Sequence, residues 1–334
     1  MEYLLNADSG KLPPKSFAES FACGFHPAVR RQNGNFPEAE LNLLKFSKMD
    51  GAGNDFVVVD CSESAYVFTA DSIRKICDRR RGIGADGLIL LSKSRVPGCG
   101  QVVMEFFNCD GSKAELCGNG LRCAALFAHE HSLTRETSIT FATGGGELAA
   151  EVIGRNMVRI ELPVTEDFEA HEHTAGYTVF KGAVGVPHAV VRMDGLERAD
   201  ILRPGRELRY HEAFAPAGVN VDFLEFGHDF SEPVLIRTYE RGVEDETLAC
   251  GTGIASSARV LAKFFHAPAD LTFRTRSGDL VKTHLPDGDA GRIILTGPAV
   301  EVYRGTAPAD RFELKLVTAT AADSPYSKEK DSQS

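Results

Sequence analysis

The sequence predicts a mixed α/β protein (α+β in the wider sense) built from two pseudo-symmetric halves with the active site in the cleft between them. Two segments resemble each other, ITFATGGGEL at 139–148 and LTFRTRSGDL at 271–280. A Cys-Gly-x-Gly motif precedes each of them, beginning at Cys117 in one case and at Cys250 in the other. Both features recur in the same order and at the same spacing to within one residue. This agreement indicates a duplicated domain, and matching sites on two such domains are expected to face one cleft.

The predicted secondary structure follows the same order in each half. An Ala- and Leu-rich run follows each motif, LRCAALFAHE at 121–130 and IASSARVLAKFF at 254–265, with apolar residues at helical spacing. We therefore predict that each half places one cysteine at the N-terminus of a helix. Further along the chain, the runs MVRIEL at 157–162 and RIILTG at 292–297 predict strands.

The overall composition is typical of soluble proteins and excludes several functional classes. The chain has 334 residues, of which 43% are hydrophobic and 25% are charged, and its net charge is −10. This acidic balance argues against nucleic acid as a partner, and the basic run at 79–81 is interpreted as a solvated helix face. No apolar stretch reaches the roughly 18 residues that a membrane helix needs, so no membrane association is expected.

The ends of the chain and its cysteines predict the domain organisation and the compartment. No apolar core follows a basic start at the N-terminus, so no secretory signal is indicated. Eight cysteines are too few for a disulfide scaffold, which favours a reducing, cytoplasmic location. The expected divisions are an N-terminal extension (1–44), a first half (45–163), a second half (164–295), a strand returning to the first half (296–307) and a disordered tail (318–334).

The two Cys-Gly-x-Gly motifs carry the predicted chemistry. A free cysteine ionises near about pH 8.5, and the unsatisfied N–H groups and dipole of a helix N-terminus are expected to favour its thiolate. The flanking glycines let the backbone approach a ligand closely, and the same N–H groups can bind a carboxylate. Each motif therefore offers an acidic or basic sulfur beside an anion site.

Two such motifs on opposite walls suit the inversion of an amino-acid α-carbon. The reaction removes a proton from one face and delivers a proton to the other, so a thiolate and a thiol can act as base and acid. Helix N-termini directed at the substrate carboxylate would stabilise the carbanion-like transition state, so no cofactor is expected. The cysteines to which no role is assigned are Cys23, Cys61, Cys77, Cys99, Cys109 and Cys123.

An ordered set of longer motifs spans residues 45–307. They are KMDGAGNDFVVVD (48–60), RRRGIGADGLI (79–89), FFNCDGSKAELCGNGLRC (106–123), VGVPHAVV (184–191), NVDF (220–223), YERGVEDETLACGTG (239–253) and TGPA (296–299). Together they resemble the diaminopimelate epimerase family. The resemblance implies two halves, each with a sheet wrapped around a central helix that begins at a catalytic cysteine. It also implies a homodimer that converts LL-2,6-diaminopimelate to the meso form for lysine or cell-wall synthesis.

The same resemblance implies roles for individual residues. Cys117 and Cys250 correspond to the two acid/base residues, and His188 and Glu240 to residues that assist their ionisation. The backbone N–H groups that match the family's site for the reacting carboxylate belong to Gly118, Asn119, Gly251 and Thr252. The other matches to substrate-binding positions, including those at the distal amino-acid group, are Asn54, Asn108, Asn220, Glu240 and Arg241.

Two positions depart from the family pattern. Val186 stands where many members have an asparagine, and its side chain cannot make the hydrogen bond of that amide to the distal end of the substrate. Gly87 replaces a polar side chain that some members use to contact the substrate. Both departures concern the choice of substrate more than the chemistry.

Other functions compete with this interpretation. A racemase of another amino acid, of the histidine or glutamate type, would use the same scaffold and both cysteines. A redox pair of Cys117 and Cys250 would cycle through a disulfide, although redox catalysis commonly uses a close Cys-x-x-Cys pair. A non-catalytic amino-acid binding protein would need neither thiol. No metal site is expected, because the two His-x-His pairs at 129–131 and 171–173 lack partners at ligand spacing.

Overall fold

The structure is a computed structural model that describes residues 43–62, 66–94, 100–114, 117–288 and 291–316. The predicted C-terminal tail lies outside these residues, as does the predicted N-terminal extension up to residue 42. The first described strand already includes Leu43 and Leu44. In the described ranges, every helix is too short or too polar to cross a membrane.

Four helices lie in the described part of the chain. Two of them begin directly after the motif cysteines, with Cys117 and Cys250 at the N-cap positions, which confirms that prediction. The helix bounds are α1 (Ala70–Cys77), α2 (Gly118–Glu130), α3 (Leu202–Arg209) and α4 (Gly251–Phe265).

Strands make up most of the remaining structure, in one 17-stranded sheet and one separate two-stranded pair. Those up to the middle of the chain are β1 (Leu43–Gly51), β2 (Asn54–Asp60), β3 (Tyr66–Val67), β4 (Gly87–Lys93), β5 (Val102–Asn108), β6 (Lys113–Ala114), β7 (Ser138–Thr143), β8 (Gly146–Gly154) and β9 (Met157–Thr174). Those that follow are β10 (Tyr177–Val184), β11 (Val186–Arg192), β12 (Asn220–Glu225), β13 (Val234–Glu240), β14 (Asp245–Thr247), β15 (Asp270–Arg274), β16 (Leu280–His284), β17 (Arg292–Pro298), β18 (Val300–Pro308) and β19 (Lys315–Leu316).

The pairing pattern of the strands is the same in the two halves. In the first half, β2 runs parallel to β4, β4 antiparallel to β5, and β5 parallel to β7. In the second half, β11 runs parallel to β12, β12 antiparallel to β13, and β13 parallel to β15. The two segments that repeat in the sequence are the matching hairpins β7–β8 and β15–β16. The predicted two-half architecture is confirmed by this repetition.

The halves are joined by strands that pass between them. β9 pairs with β8 over residues 157–160 and with β10 over residues 164–174. In the same way, β17 pairs with β16 in the second half, whereas β18 pairs with β1 in the first. β9 and β17 also pair with each other, so the two half-sheets form one continuous sheet. Backbone hydrogen bonds therefore fix how the two halves meet.

Each half-sheet wraps around one central helix. α2 contacts β1, β2, β4, β8 and β9, whereas α4 contacts β10, β11, β12, β16 and β17. All residues from 118 to 128 are buried, as are those from 251 to 258. A helix that is enclosed on all sides is expected to be apolar or small all round, and the Ala-rich sequences of α2 and α4 fit this expectation apart from a few buried polar residues, of which Arg122 is the largest. Both helices contribute to a single apolar cluster, so the halves share one core.

The other two helices cover the outer faces of the half-sheets. α1 packs Ile73 and Ile76 into a cluster with β2 and β4. α3 packs Leu208 into a cluster with β12 and β13. The start of α1 is fixed by Thr69, whose hydroxyl accepts from the N–H of Ser72 while the Ser72 hydroxyl accepts from the N–H of Thr69. Helices therefore cover both faces of each half-sheet. The N-termini of α2 and α4 remain available to form a site.

Candidate active site

The N-termini of α2 and α4 meet at the junction of the two halves. A Cβ atom built on Gly251 would lie 3.6 Å from the Cα of Gly118, so the two helix starts touch backbone to backbone. The side chain of Asn119 crosses the junction and donates from Nδ2 to the carbonyl of Ala249 at 3.0 Å. Glycine at both contact positions permits this approach, which brings the first-turn N–H groups of both helices to one place.

Cys117 caps α2 with its own sulfur. Its Sγ accepts a hydrogen bond from the N–H of Gly120 at 3.3 Å. Burial raises the pKa of the Cys117 thiol to about 11, and the N–H of Gly120 opposes that rise. The helix N-terminus was expected to favour the thiolate, but the loss of solvent around the sulfur outweighs it.

Cys250 occupies the matching position on α4 in a different environment. Its Sγ lies 3.4 Å from the hydroxyl of Thr252, and the residue is 8% exposed. Burial, followed by the negative charges of Glu240 and Asp222, raises the pKa of the Cys250 thiol well above its ordinary value. Backbone N–H groups at both helix starts lower the pKa of the two thiols, as expected, but burial raises it more strongly.

His188 links the second half to Cys250. The ring lies on β11 with no exposed surface, and its Nε2 is 3.0 Å from the hydroxyl of Thr252. The neighbouring strand β12 places Asn220 beside it, with Nδ2 3.4 Å from Nε2. The carbonyl oxygen of Asn220 accepts from the N–H of Arg241 at 2.8 Å. The structure therefore links four of the sequence-predicted site residues, Thr252, His188, Asn220 and Arg241, in a hydrogen-bonded series that begins at Cys250.

Glu240 and Arg241 end β13 beside this group. Burial raises the pKa of the Glu240 carboxyl. Its charge also raises the pKa of both Cys117 and Cys250, so the carboxyl lies within electrostatic reach of both sulfurs. The guanidinium of Arg241 donates to the carbonyl of Ala217 at 3.3 Å. The carboxyl of Glu240 thus influences the ionisation of both thiols.

Asn54 and Asn108 lie together at one edge of the first half-sheet. Asn54 begins β2 and Asn108 ends β5, and the first residue of the intervening strand β4, Gly87, pairs with Asn108. Asn54 Oδ1 is buried and lacks a hydrogen-bond partner among the described residues, which is typical of an atom that awaits a ligand. Asn108 is exposed, and its Nδ2 donates to the hydroxyl of Ser112 at 3.0 Å.

The turn that carries Asn54 also reaches the second half. A Cβ atom built on Gly51 would lie 3.0 Å from the carbonyl oxygen of Asn119, at the start of α2. One built on Gly53 would lie 2.9 Å from the Cβ of Leu248, two residues before Cys250. Asn54 therefore stands where the two halves meet, beside the helix starts.

Two buried residues near the site were not singled out from the sequence. Asp222 has no exposed surface, and its Oδ2 lies 2.7 Å from His188 Nδ1. Arg122 is fully buried on α2 and donates from Nε to the carbonyl of Pro298 at 3.1 Å and from Nη2 to Asn119 Oδ1 at 3.0 Å. The available signal was a charged residue inside an otherwise apolar run, NVDF for Asp222 and LRCAAL for Arg122.

Of the two departures from the family pattern, Val186 lies on the same strand as His188, and Gly87 pairs with Asn108 on the neighbouring strand. Val186 begins β11, two residues before His188, and is half-buried. A Cβ atom on Gly87 would lie 2.6 Å from the ring of Phe106 and 2.7 Å from the carbonyl oxygen of Phe107. The Phe106 ring thus occupies the space that a polar side chain at position 87 would need.

The other cysteines of the described ranges lie away from this group or carry no matching partner. Cys61, Cys77, Cys109 and Cys123 are free thiols, and burial raises the pKa of each. Cys117 and Cys250 are also free. Among the described residues, no group of three or more His, Cys, Asp or Glu side chains is arranged to hold a metal ion.

Comparison with known proteins identifies the family. The sequence profile of diaminopimelate epimerase matches residues 46–162 and 180–302, one segment in each half. The chain belongs to the diaminopimelate epimerase family. It is accordingly an enzyme of the isomerase class. The resemblance drawn from the sequence motifs is confirmed by this match.

Individual members of the family match over their whole length. The chain is 38% identical over 287 residues to the diaminopimelate epimerase of Hydrogenobaculum sp. and 37% identical over 284 residues to that of Aquifex aeolicus. These alignments cover 80% and 81% of this chain, respectively, and 100% of each relative. The diaminopimelate epimerase of Legionella pneumophila is 33% identical over 287 residues, covering 79% of this chain and 98% of the relative.

Solved structures share the fold at low sequence identity. A phenazine biosynthesis protein of the PhzF family from Bacillus anthracis aligns with a TM-score of 0.62 at 15% identity, covering 79% of this chain and 99% of that one. A probable proline racemase from Agrobacterium radiobacter aligns with a TM-score of 0.61 at 16% identity, covering 81% and 94%. These similarities confirm the fold class.

Proposed function

We propose that this protein epimerises LL-2,6-diaminopimelate to meso-diaminopimelate, with Cys117 and Cys250 as the two acid/base residues. The observation that carries the proposal is the direct contact between the two cysteine-capped helix starts, one from each half. A substrate α-carbon held at this junction would have one sulfur on each side. The family supports the substrate, which is a precursor of lysine and of cell-wall peptides.

The chemistry follows from the two opposed sulfurs. The thiolate on one face takes the α-proton and becomes a thiol, while the thiol on the other face gives its proton to the carbon and becomes a thiolate. The product therefore carries a proton from the second sulfur, and the enzyme is left ready for the reverse reaction. The first-turn N–H groups of Gly118, Asn119, Gly251 and Thr252 would hold the carboxylate and stabilise the developing carbanion, so the reaction proceeds without a cofactor.

The burial of the two sulfurs favours the proposed proton transfer. Burial raises the pKa of both thiols, so each is a strong base once it has lost its proton. An amino-acid α-proton is weakly acidic, and a base of high proton affinity reduces the free-energy difference between substrate and carbanion. Ionisation of one thiol then needs a nearby proton acceptor, which we assign to His188 and Glu240.

The remaining site residues would hold the distal end of the substrate. The unpaired carbonyl oxygen of Asn54 supports a hydrogen bond to a ligand ammonium, and Arg241 supports an ion pair with a carboxylate. Asn108 and Asn220 would complete these contacts. A ligand with an amino-acid group at each end matches this combination of acceptors and a cation.

A racemase of another amino acid is the second candidate. Val186 offers no hydrogen bond to a distal group, and Phe106 fills the space beside Gly87. Both features leave the distal end of the site less polar than a diaminopimelate site with an asparagine at position 186 and a polar side chain at position 87 would be. A shorter amino acid, such as glutamate or histidine, would need fewer contacts there.

Proton NMR in deuterium oxide tests the proposal and separates the two candidates. With LL-diaminopimelate and the purified full-length protein, without added cofactor, we expect the meso product to carry deuterium at its inverted α-carbon. At early times the remaining substrate should keep its protium, because the two sulfurs hold separate protons. Inversion of glutamate or histidine but not of diaminopimelate would favour the racemase. No α-exchange with any of these amino acids would contradict both.

We also propose that the protein is a cytoplasmic homodimer. The family supports this assembly, and six free thiols among the described cysteines support a reducing location. Light scattering coupled to size-exclusion chromatography would measure the mass in solution. A mass of one chain at micromolar concentration would contradict the dimer.

A further inference from the structure

A buried chain of hydrogen bonds runs from Cys250 into the second half and ends on Asp222. From the sulfur, Thr252 Oγ1 lies at 3.4 Å, His188 Nε2 lies 3.0 Å beyond it, and Asp222 Oδ2 lies 2.7 Å from His188 Nδ1. The other carboxylate oxygen of Asp222 accepts from the hydroxyl of Thr238 at 2.7 Å. Both His188 and Asp222 have no exposed surface. Such a chain can move protons without solvent.

The direction of the hydrogen bonds in this chain follows from groups that can only donate or only accept. The N–H of Arg241 can only donate, so the atom of Asn220 that it meets at 2.8 Å is the carbonyl oxygen. Asn220 Nδ2 is therefore the atom that faces His188 Nε2. The carboxylate of Asp222 can only accept, so Nδ1 carries the proton and donates it at 2.7 Å, and Nε2 carries a single lone pair that the nearer donor, at 3.0 Å, can occupy. The hydroxyl of Thr252 then donates to Nε2 and leaves its oxygen to accept from the thiol of Cys250.

Among the described residues of the first half, which has the same fold, apolar side chains occupy the positions that match His188 and Asp222. A Cβ atom on Gly253 of α4 would lie 2.2 Å from Asp222 Oδ1. A Cβ atom on the matching glycine of α2, Gly120, would lie 3.3 Å from Ile89 Cδ1. Ile89 therefore occupies the place in the first half that Asp222 occupies in the second.

The counterpart of His188 is also apolar. His188 pairs with the residue two positions before Asp222, and Phe56 pairs with the residue two positions before Ile89. Phe56 is fully buried, and its ring packs edge-on against another phenylalanine. The fold therefore forms with apolar side chains at these two positions and does not itself need polar ones there. Burying an imidazole and a carboxylate instead costs desolvation free energy, which favours a functional reason for them.

We propose that Asp222 is a positioning residue, holding His188 in the tautomer that takes the proton of Cys250 through the hydroxyl of Thr252. The thiol proton passes to Thr252 Oγ1 as the original hydroxyl proton passes to His188 Nε2. The result is a thiolate, an intact hydroxyl and an imidazolium paired with the carboxylate of Asp222. This inference rests on the proposed function of Cys250 as an acid/base residue. It adds a role for the side chain of Thr252, beside that of its backbone N–H.

The charges around Cys250 allow the variant Asp222→Asn to distinguish two roles of that carboxylate. The two roles predict opposite changes in the reactivity of the Cys250 thiol. The groups that face the sulfur are Glu240 from β13, Asp222 from β12, His188 from β11 and Thr252 from its own helix. Acting directly, the negative charge of Asp222 raises the pKa of Cys250, so its removal would make the thiol more reactive. Acting through His188, the same carboxylate stabilises the thiolate, so its removal makes the thiol less reactive.

Alkylation of the full-length protein by iodoacetamide tests the chain without any substrate. Peptide mass spectrometry gives separate rates for Cys250 and for Cys117, which serves as the internal control. In Thr252→Val, which keeps the backbone N–H and the branched shape but lacks the hydroxyl, we expect Cys250 to react about tenfold more slowly. Thr252→Ser should recover most of that rate. In Asp222→Asn, Cys250 should also react more slowly, whereas the exposed Asp194→Asn should match the wild type.

Steady-state kinetics on the same variants provides the second measurement. Thr252→Val should lower kcat about a hundredfold with KM within a few-fold of the wild type, because the carboxylate-binding N–H is retained. Wild-type alkylation of Cys250 in Thr252→Val, or faster alkylation in Asp222→Asn, would overturn the inference. If Asp222→Asn does not fold, the Val and Ser variants at position 252 decide the question. The alkylation rates stand even if the substrate proves to be another amino acid, so the two proposals can fail separately.

Discussion

The contact between Gly253 and Asp222 predicts an unusual response to an alanine substitution. Alanine in place of glycine within a helix stabilises it by about 1 kcal/mol in general. At Gly253, however, the new Cβ would lie 2.2 Å from Asp222 Oδ1 and 3.0 Å from its Cγ. The carboxylate cannot yield freely, because it accepts hydrogen bonds of 2.7 Å from both His188 and Thr238. We therefore expect Gly253→Ala to destabilise the protein.

The magnitude follows from the two hydrogen bonds that the displaced carboxylate would lose. Each hydrogen bond to a charged group contributes about 1.5–3 kcal/mol, so weakening both costs roughly 3–6 kcal/mol. After the gain in helix propensity, the free energy of unfolding of Gly253→Ala should be lower by about 2–5 kcal/mol. The midpoint of thermal unfolding should fall by about 2–4 °C for each kcal/mol.

The duplicated fold supplies a matched control. Gly120→Ala places a Cβ in the same turn of α2, where the nearest atoms are Ile89 Cδ1 at 3.3 Å and Cys117 Cβ and Sγ at 3.4 Å. The end of an isoleucine side chain can shift by a few tenths of an ångström, so Gly120→Ala should stay within about 1 kcal/mol of the wild type. Urea unfolding followed by circular dichroism measures both variants. Equal stabilities of the two variants would refute the reasoning about Asp222.

Further predictions concern the thiols and one surface carboxylate. Cys117→Ala and Cys250→Ala should each lower kcat for epimerisation about a thousandfold or more, and a variant that kept a tenth of the activity would count against the two-base chemistry. Because burial raises the pKa of Cys117 to about 11, its alkylation rate should rise about tenfold per pH unit between about pH 7 and 10, without a plateau below pH 9. Burial would raise the pKa of Glu301, but hydrogen bonds from Arg304, Ser47 and His131 outweigh it and lower the pKa to about 2. This carboxylate therefore stabilises the protein above its unfolded pKa of about 4.3, and that stability is lost as the pH falls towards 2. Because Gln does not titrate, the free energy of unfolding of Glu301→Gln, measured with urea, should fall less between about pH 5 and 3 than that of the wild type.

The chemical asymmetry of the site contrasts with the symmetry of the fold. Cys117 accepts from the N–H of Gly120 and thus caps its own helix, whereas Cys250 contacts the hydroxyl of Thr252. Asn119, the counterpart of Thr252, instead spans the junction to the carbonyl of Ala249. Duplication therefore provided two equivalent helix starts, and the side chains after each cysteine diverged to give the two sulfurs different neighbours.

Much of the fold could be predicted from local features of the sequence. The Ala-rich runs after Cys117 and Cys250 predict helices because their side chains suit a helix enclosed on all sides, and both helices form there. The repeat of ITFATGGGEL and LTFRTRSGDL predicts two similar halves, since similar sequences fold into similar hairpins. The passage of β9 from the first half into the second leaves no local signal, because it depends on which distant strand completes each edge.

The sequence alone thus determined the duplication, the two central helices and the cysteines at their N-caps, which depend on motifs of about 20 residues or fewer and on their repetition along the chain. The tertiary structure alone decided the surroundings of the sulfurs. His188 contacts Asp222, which lies 34 residues further along the chain, and Thr252, which lies 64 residues further along. These contacts depend on the register of the paired strands, which the composition of the chain does not encode. Burial likewise outweighs the lowering of both thiol pKa values by the helix N-termini, because solvent exclusion is a property of the packed molecule and not of the motif.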